Sequence, residues 1–279
     1  MYFPTLLTSV SVVLVGIADL TSAHGGFVDA YGDANPKIRG YGLGFEPSTP
    51  RKSSHSEPYY KQDATSFANK MVFRPGDGTV NQYGCGSTYL TVSRAFAAHQ
   101  PKIWSGTTPL QKLGLFRDKV IPAAGYIDTK DRINHLASLE QKRSTRDDSA
   151  TGAKGLSTGI PKVTAGGTLT IVNFQMDIDG AGPFKCKIDY KGAGNSWNAP
   201  LQVTKNCPGN AGSVNVPGIL KPCWFTIAMP DGLDCKGTYG AKGEVEDICL
   251  VRCENSSHLG PFGGCVPIQQ VRSAKARAM

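Results

Sequence analysis

The stretch TLTIVNFQMDIDGAGPFKCKIDY, residues 168–190, decides the fold. Its first seven residues, TLTIVNF (168–174), have the β-branched and aromatic composition of a strand. Its end, FKCKIDY (184–190), alternates Phe184, Cys186, Ile188 and Tyr190 against polar neighbours, the period of a half-buried strand. The link between them, with two aspartates, Gly180, Gly182 and Pro183, has the composition of a turn. Working outward, CWFTIAM (223–229), DICLVRC (247–253) and CVPIQQV (265–271) repeat the strand signature, and Gly, Pro and Asp turns separate them. Near the other end, HGGFVDAY (24–31) reads as a further strand or extended lead-in. This spacing predicts a mainly β chain, an antiparallel β-sandwich with helical and loop insertions. Two helices are expected in the insertions. One covers Tyr89 to Ala98; the other is capped by Asp128, with Ile133, Leu136 and Leu139 on one face and His135 off that stripe. Residues 40–60 read as a long ordered loop, and polar, Gly-rich residues 141–160 as a mobile one.

The apolar run LLTSVSVVLVGIA (6–18) is shorter than the roughly 20 residues of a membrane span and fits the apolar core of a secretory signal. Small residues at Thr21 and Ala23 favour a cut before His24; a rival cut after Ala18 would leave Asp19 first. The expected organisation is a signal peptide at 1–23, one secreted domain at 24–271 and a basic flexible tail at 272–279. No later run reaches membrane length, so no membrane span is expected.

Eight cysteines, Cys85, Cys186, Cys207, Cys223, Cys235, Cys249, Cys253 and Cys265, form an even set, seven of them after residue 185. In an exported chain that pattern predicts disulfides, with 105 pairings open for eight cysteines. A zinc site at Cys249-x3-Cys253 lacks a matching Cys/His pair at finger spacing. The net charge of +8 is scattered apart from the tail, so nucleic acid is not an expected partner; anionic walls, polysaccharide or a host surface are. Asn255-Ser256-Ser257 is a glycosylation sequon and predicts an exposed loop. Hydrolase motifs of the Gly-x-Ser-x-Gly and His-Glu-x-x-His kinds are absent, and Asp177 and Asp179 lie too close on one strand to straddle a sugar bond.

GYGLGFEPSTPR (40–51), YGCGSTYLTVSR (83–94), IPKVTAGGTLTI (160–171), DGAGPFKCKID (179–189) and CLVRCENSSHLGPFGGCVPIQ (249–269) resemble the fungal appressorium-specific secreted virulence-factor family, the Egh-type proteins of powdery mildew. That resemblance implies an exported protein of host penetration. The layout also resembles, more distantly, the lytic polysaccharide monooxygenases, copper enzymes on an immunoglobulin-like β-sandwich whose mature chain begins with His. The resemblance implies a copper site at His24. Asp179 stands where those enzymes carry their second histidine, Phe262 before Cys265 would cap the axial side, and Gln175 would lie behind the ligands.

Each of these residues has a plainer reading. His24 is otherwise a terminal histidine without a role, Asp179 a turn aspartate, Phe262 core packing, and Gln175 a strand-surface side chain. Asp177 is the reserve ligand. His258, four residues before Phe262, and His99 are candidate second imidazoles, or solvated loop histidines. Three functions follow: an infection-associated protein with an N-terminal copper site, a copper-dependent monooxygenase acting on chitin or another wall glycan, and a metal-free wall- or host-binding protein.

Overall fold

The computed structural model describes residues 24–49, 51, 61–68, 84–99, 123–142, 145–148, 153–197 and 199–272. In chain order its elements are β1 (Gly25–Gly32), β2 (Ile38–Arg39), β3 (Thr65–Ser66), α1 (Tyr89–His99), α2 (Thr129–Gln141), β4 (Thr145–Asp148), β5 (Ala153–Thr158), β6 (Lys162–Val163), β7 (Thr168–Gln175), β8 (Lys185–Asp189), β9 (Ala199–Leu201), β10 (Val203–Lys205), β11 (Lys221–Ala228), β12 (Gly237–Tyr239), β13 (Val245–Glu254) and β14 (Phe262–Gln270). The five strands expected from residue 168 onward therefore form, as do both helices. Asp128 caps α2 by accepting from Asp131 N, and Ile133 and Leu136 are buried while His135 is exposed.

The strands run β10-β11-β7-β1-β14-β13-β8-β9. Two antiparallel quartets lie within that order, joined by one parallel contact between Gly26 of β1 and Gly263 of β14. At the far side β9 and β10 are separated only by Gln202, yet β9 pairs with β8 and β10 with β11. The sheet is thus mixed and curls nearly into a barrel. This corrects the expected antiparallel sandwich: alternation within strands sets which residues face inward, but not how the two outer strands are bridged.

The two faces of the curled sheet carry separate cores. Inside, Phe27, Phe184 and Phe225 meet at centroid distances of 4.8–5.4 Å with Leu169, Ile171, Val251 and Val266. Outside, Val28, Val172, Phe174, Ile248 and Leu250 are covered by Tyr41, Leu43 and Phe45 and by Ile133 and Leu136 of α2. The long 40–60 segment, over its described part, is thus a core-forming strap. Ser66 pairs with Phe262, Ser87 with Ser66, and Tyr126 with Ser87, so a short ladder ties the helical insertions to β14.

All eight cysteines are paired: Cys85–Cys265, Cys186–Cys253, Cys207–Cys223 and Cys235–Cys249. Cys253 therefore bridges to β8 and not to Cys249. Two further expectations are corrected. Residues 141–160 are not a loop throughout, because β4 and β5 pair within them and β5 adds to β2; a charged hairpin carries too little apolar periodicity to be read as strands. The tail does not begin at 272, since Arg272 donates to Asp234 and Asp247 at 2.9 and 2.8 Å. Residues 273–279, like 1–23 with the expected cut site and His55, lie outside the described residues. Among the described residues no helix is long and apolar enough to cross a membrane.

Candidate functional site

The end of β7 and the turn after it build the site. The His24 carbonyl accepts from Met176 N and Asp177 N at 2.8 and 3.1 Å, so the start of β1 is held against the chain leaving β7. Gly180 is required there: a Cβ at that position would overlap the His24 carbonyl oxygen. Gln175 secures the turn from beneath, its Nε2 donating to the carbonyls of Asp177 at 2.9 Å and Asn215 at 2.6 Å. The sequence places His24 and Asp179 far apart; β1–β7 pairing brings their backbones to the same turn.

Phe262 is buried, and its ring centroid lies 5.4 Å from that of His24 at an interplanar angle of 32°. Asp179 is buried in the same turn. Its Oδ2 accepts from the Ser257 hydroxyl at 2.8 Å, while its Oδ1 is buried without a hydrogen-bond partner. Burial pushes the Asp179 carboxyl above the ordinary aspartate value, with Asp177 adding to the rise, against the lowering effects of the Ser257 hydrogen bond and the Lys61 charge. A carboxyl raised in the folded state holds its proton more tightly there, so the stability it lends is complete below the unfolded value and is lost as pH rises through the folded one. Wild type should accordingly lose stability relative to Asp179→Asn as pH rises above the ordinary aspartate value and through the raised folded one, read from urea midpoints over a pH series.

The reserve ligand Asp177 is already committed. Its Oδ2 meets the buried Lys61 ammonium at 2.7 Å and its Oδ1 accepts from Ile178 N at 2.7 Å. His258 is exposed, while its neighbour Ser257 turns inward. His99 ends α1, outside the turn that holds His24. Among the described residues no group of three His, Cys, Asp or Glu side chains converges on one point.

Asn255, Ser257 and Lys61 matter more here than the sequence indicated. Asn255 is 3% exposed, so the expected exposed sequon is a buried one. Its Nδ2 donates to the carbonyls of Asp179 and Ala181 at 2.9 and 3.0 Å, and its Oδ1 accepts from Ser257 N and Phe262 N at 3.2 and 2.9 Å. One side chain thus fixes the turns bearing Asp179, Ser257 and Phe262. The sequon names residue types and not a direction; the distant carbonyls of Asp179 and Ala181 turn the side chain inward. Asn255→Ala should cost about 2–3 kcal/mol by stranding buried polar groups, measured by denaturant unfolding. The secreted protein should show no mass change on glycosidase treatment, because both amide hydrogens are in use.

Sequence comparison shows what the chain is similar to. Appressoria-specific virulence factor GAS1 of Pyricularia oryzae is 25% identical to this chain over 272 residues, 98% of this chain and 82% of that protein. Appressoria-specific virulence factor GAS2 of the same fungus is 31% identical over 145 residues, 49% of this chain and 48% of that protein. The model of the Egh16-like virulence factor family matches residues 22–263, a span that takes in β1, the Asp177–Gly180 turn, Asn255, Ser257 and Phe262. A match of that extent is decisive: the chain belongs to the Egh16-like virulence factor family.

Proposed function

We propose that this protein is a secreted, infection-associated factor in which removal of residues 1–23 turns His24 into a copper(II) site. The observation that carries this reading is the buried, unpartnered Asp179 Oδ1 beside a turn that grips the His24 backbone. A fold seldom leaves a carboxylate oxygen without a donor, and an acid kept at such a cost is a functional-site candidate. In the uncut chain the His24 nitrogen is an amide. Once cut, the amine and imidazole of His24 and the Asp179 carboxylate would offer an N,N,O donor set, which suits copper(II).

Bound copper would supply one-electron chemistry, but a single imidazole with a carboxylate favours the divalent state over the softer monovalent one. The chain's own groups do the positioning. Phe262 backs the imidazole, Ser257 orients the carboxyl through Oδ2, and Asn255 holds both turns. The virulence association of the relatives supports a role in host penetration, and the four disulfides support export. The metal-free binding reading draws on a specific observation too: the buried Lys61 ammonium stands at Asp177, and a nearby cation disfavours a second one.

Intact mass of the secreted protein and copper calorimetry test the proposal. The chain should begin at His24. His24→Ala should weaken copper(II) binding at least 100-fold, as should one extra residue before His24, and Asp179→Asn should weaken it about 10-fold, in the range of a lost ligand or its support. Equal binding by wild type and His24→Ala would leave the metal-free reading standing. Oxidised sugars released from chitin with copper and reductant by wild type, and not by His24→Ala, would establish the enzyme reading.

A further inference from the structure

One margin of the curled sheet carries a surface that the His24 turn does not use. On the outer face of β10-β11-β7-β1, register sets Lys205 opposite Thr226, Thr226 opposite Thr170 and Thr170 opposite Tyr31, a row crossing four strands. The hydroxyls of Thr170 and Thr226 lie 3.5 Å apart. Two residues along β11, on the same face, Trp224 is 42% exposed, high for the largest apolar side chain. Beyond the row, Arg39 stacks on the Tyr31 ring at 3.7 Å. Asp29, the acid that β1 contributes to this face, is buried and ion-paired with Arg39. Lys205 is exposed.

We infer that this face docks a polysaccharide bearing carboxylates, a polyuronate chain laid across β11 and stacked on Trp224 with Lys205 meeting a carboxylate. The chemistry of the surface selects the occupant. An exposed indole on a flat sheet presents an amphipathic ring to the apolar face of a sugar. The threonine row offers hydroxyls that donate and accept, matching a polyhydroxylated chain and not an acyl one. A single exposed indole flanked by threonines is a small apolar area for a lipid surface or a dimer core. The charge decides among glycans: the β1 acid on the face is neutralised by Arg39 while Lys205 projects from it, and the chain carries +8 overall.

The test uses the mature disulfide-bonded protein and polygalacturonate, with dextran as a neutral glycan, followed by Trp fluorescence and affinity electrophoresis. Polygalacturonate should bind, and dextran at least tenfold more weakly. Trp224→Ala should weaken polygalacturonate binding at least tenfold, and Lys205→Gln about threefold with a shallower salt dependence. His24→Ala should leave it unchanged, which separates this surface from the copper site. Trp224→Tyr, which retains a stacking ring, should recover most of the affinity. Absence of polygalacturonate binding would overturn the inference. So would equal binding of dextran, equal binding by wild type and Trp224→Ala, or a solution dimer that Trp224→Ala dissociates.

Discussion

Replacing Cys85 and Cys265 together by alanine is expected to destabilise the protein by about 4–5 kcal/mol, more than loss of any other bridge. The two residues are 180 apart in sequence, whereas Cys207–Cys223 and Cys235–Cys249 close 16 and 14. Loop-closure entropy puts the short bridges at about 3 kcal/mol and a loop near 100 residues at about 4.7 kcal/mol. The Cys186–Cys253 bridge lies inside the long loop and shortens its effective length, which keeps the expectation below the full-length value. Packing works in the same direction, because Cys85 and Cys265 are 1% and 0% exposed and join the segment before α1 to central strand β14. Urea unfolding of the double-alanine variants checks the order. A Cys207→Ala/Cys223→Ala protein that is the less stable of the two would show that the segment around Cys85 contributes little to the cooperative fold.

Lys61→Met is expected to cost about 3–5 kcal/mol, the penalty for stranding a buried charge. Lys61 and Asp177 are 3% and 7% exposed, and their ion pair spans 116 residues of sequence. Methionine keeps most of the volume of the lysine stem but removes the ammonium, leaving the Asp177 carboxylate with the Ile178 N–H as its other partner. The double variant Lys61→Met/Asp177→Asn should recover most of the loss, because the pair is costly to break and inexpensive to replace. A double-mutant cycle on chemical unfolding midpoints decides this. Additive losses would mean that Lys61 acts through its stem packing and not through its charge. The same variants bear on copper: with the ammonium gone, the local potential at Asp179 becomes more negative, and copper(II) binding through His24 should strengthen unless the turn has moved.

Much of the fold is legible in short segments. The strand composition of 168–174, the period-two alternation of 184–190 and the apolar spacing of Ile133 and Leu136 are local signals, and each is honoured in the fold. The charged segment 141–160 failed as a loop for the converse reason. Strands β4 and β5 are held by pairing with each other and with β2, and pairing leaves no mark in the periodicity of a polar run. For the site, sequence singled out His24, Asp179, His258, Phe262 and Gln175, with Asp177 and His99 in reserve; the structure sets the Phe262 ring against His24 and Gln175 under the Asp177 turn, and leaves His258 exposed. It gave no sign of Lys61, whose partner is distant in the chain, and it read Asn255 as outward because a sequon names residue types and not a direction.

By itself, the sequence determined the long strands from residue 168 onward, both helices, the even cysteine set and the Gly-rich turn after Asp179, since backbone propensity, pairing parity and steric clearance are all local properties. Only the tertiary structure decided that β9 and β10 bridge two antiparallel quartets, that Cys85 joins Cys265, and that Asp177 is neutralised while Asp179 keeps an unpartnered oxygen. Those outcomes depend on which distant groups meet, and burial sets their energies: the same carboxyl is ordinary in water and costly when buried with the Ser257 hydroxyl as its one side-chain donor.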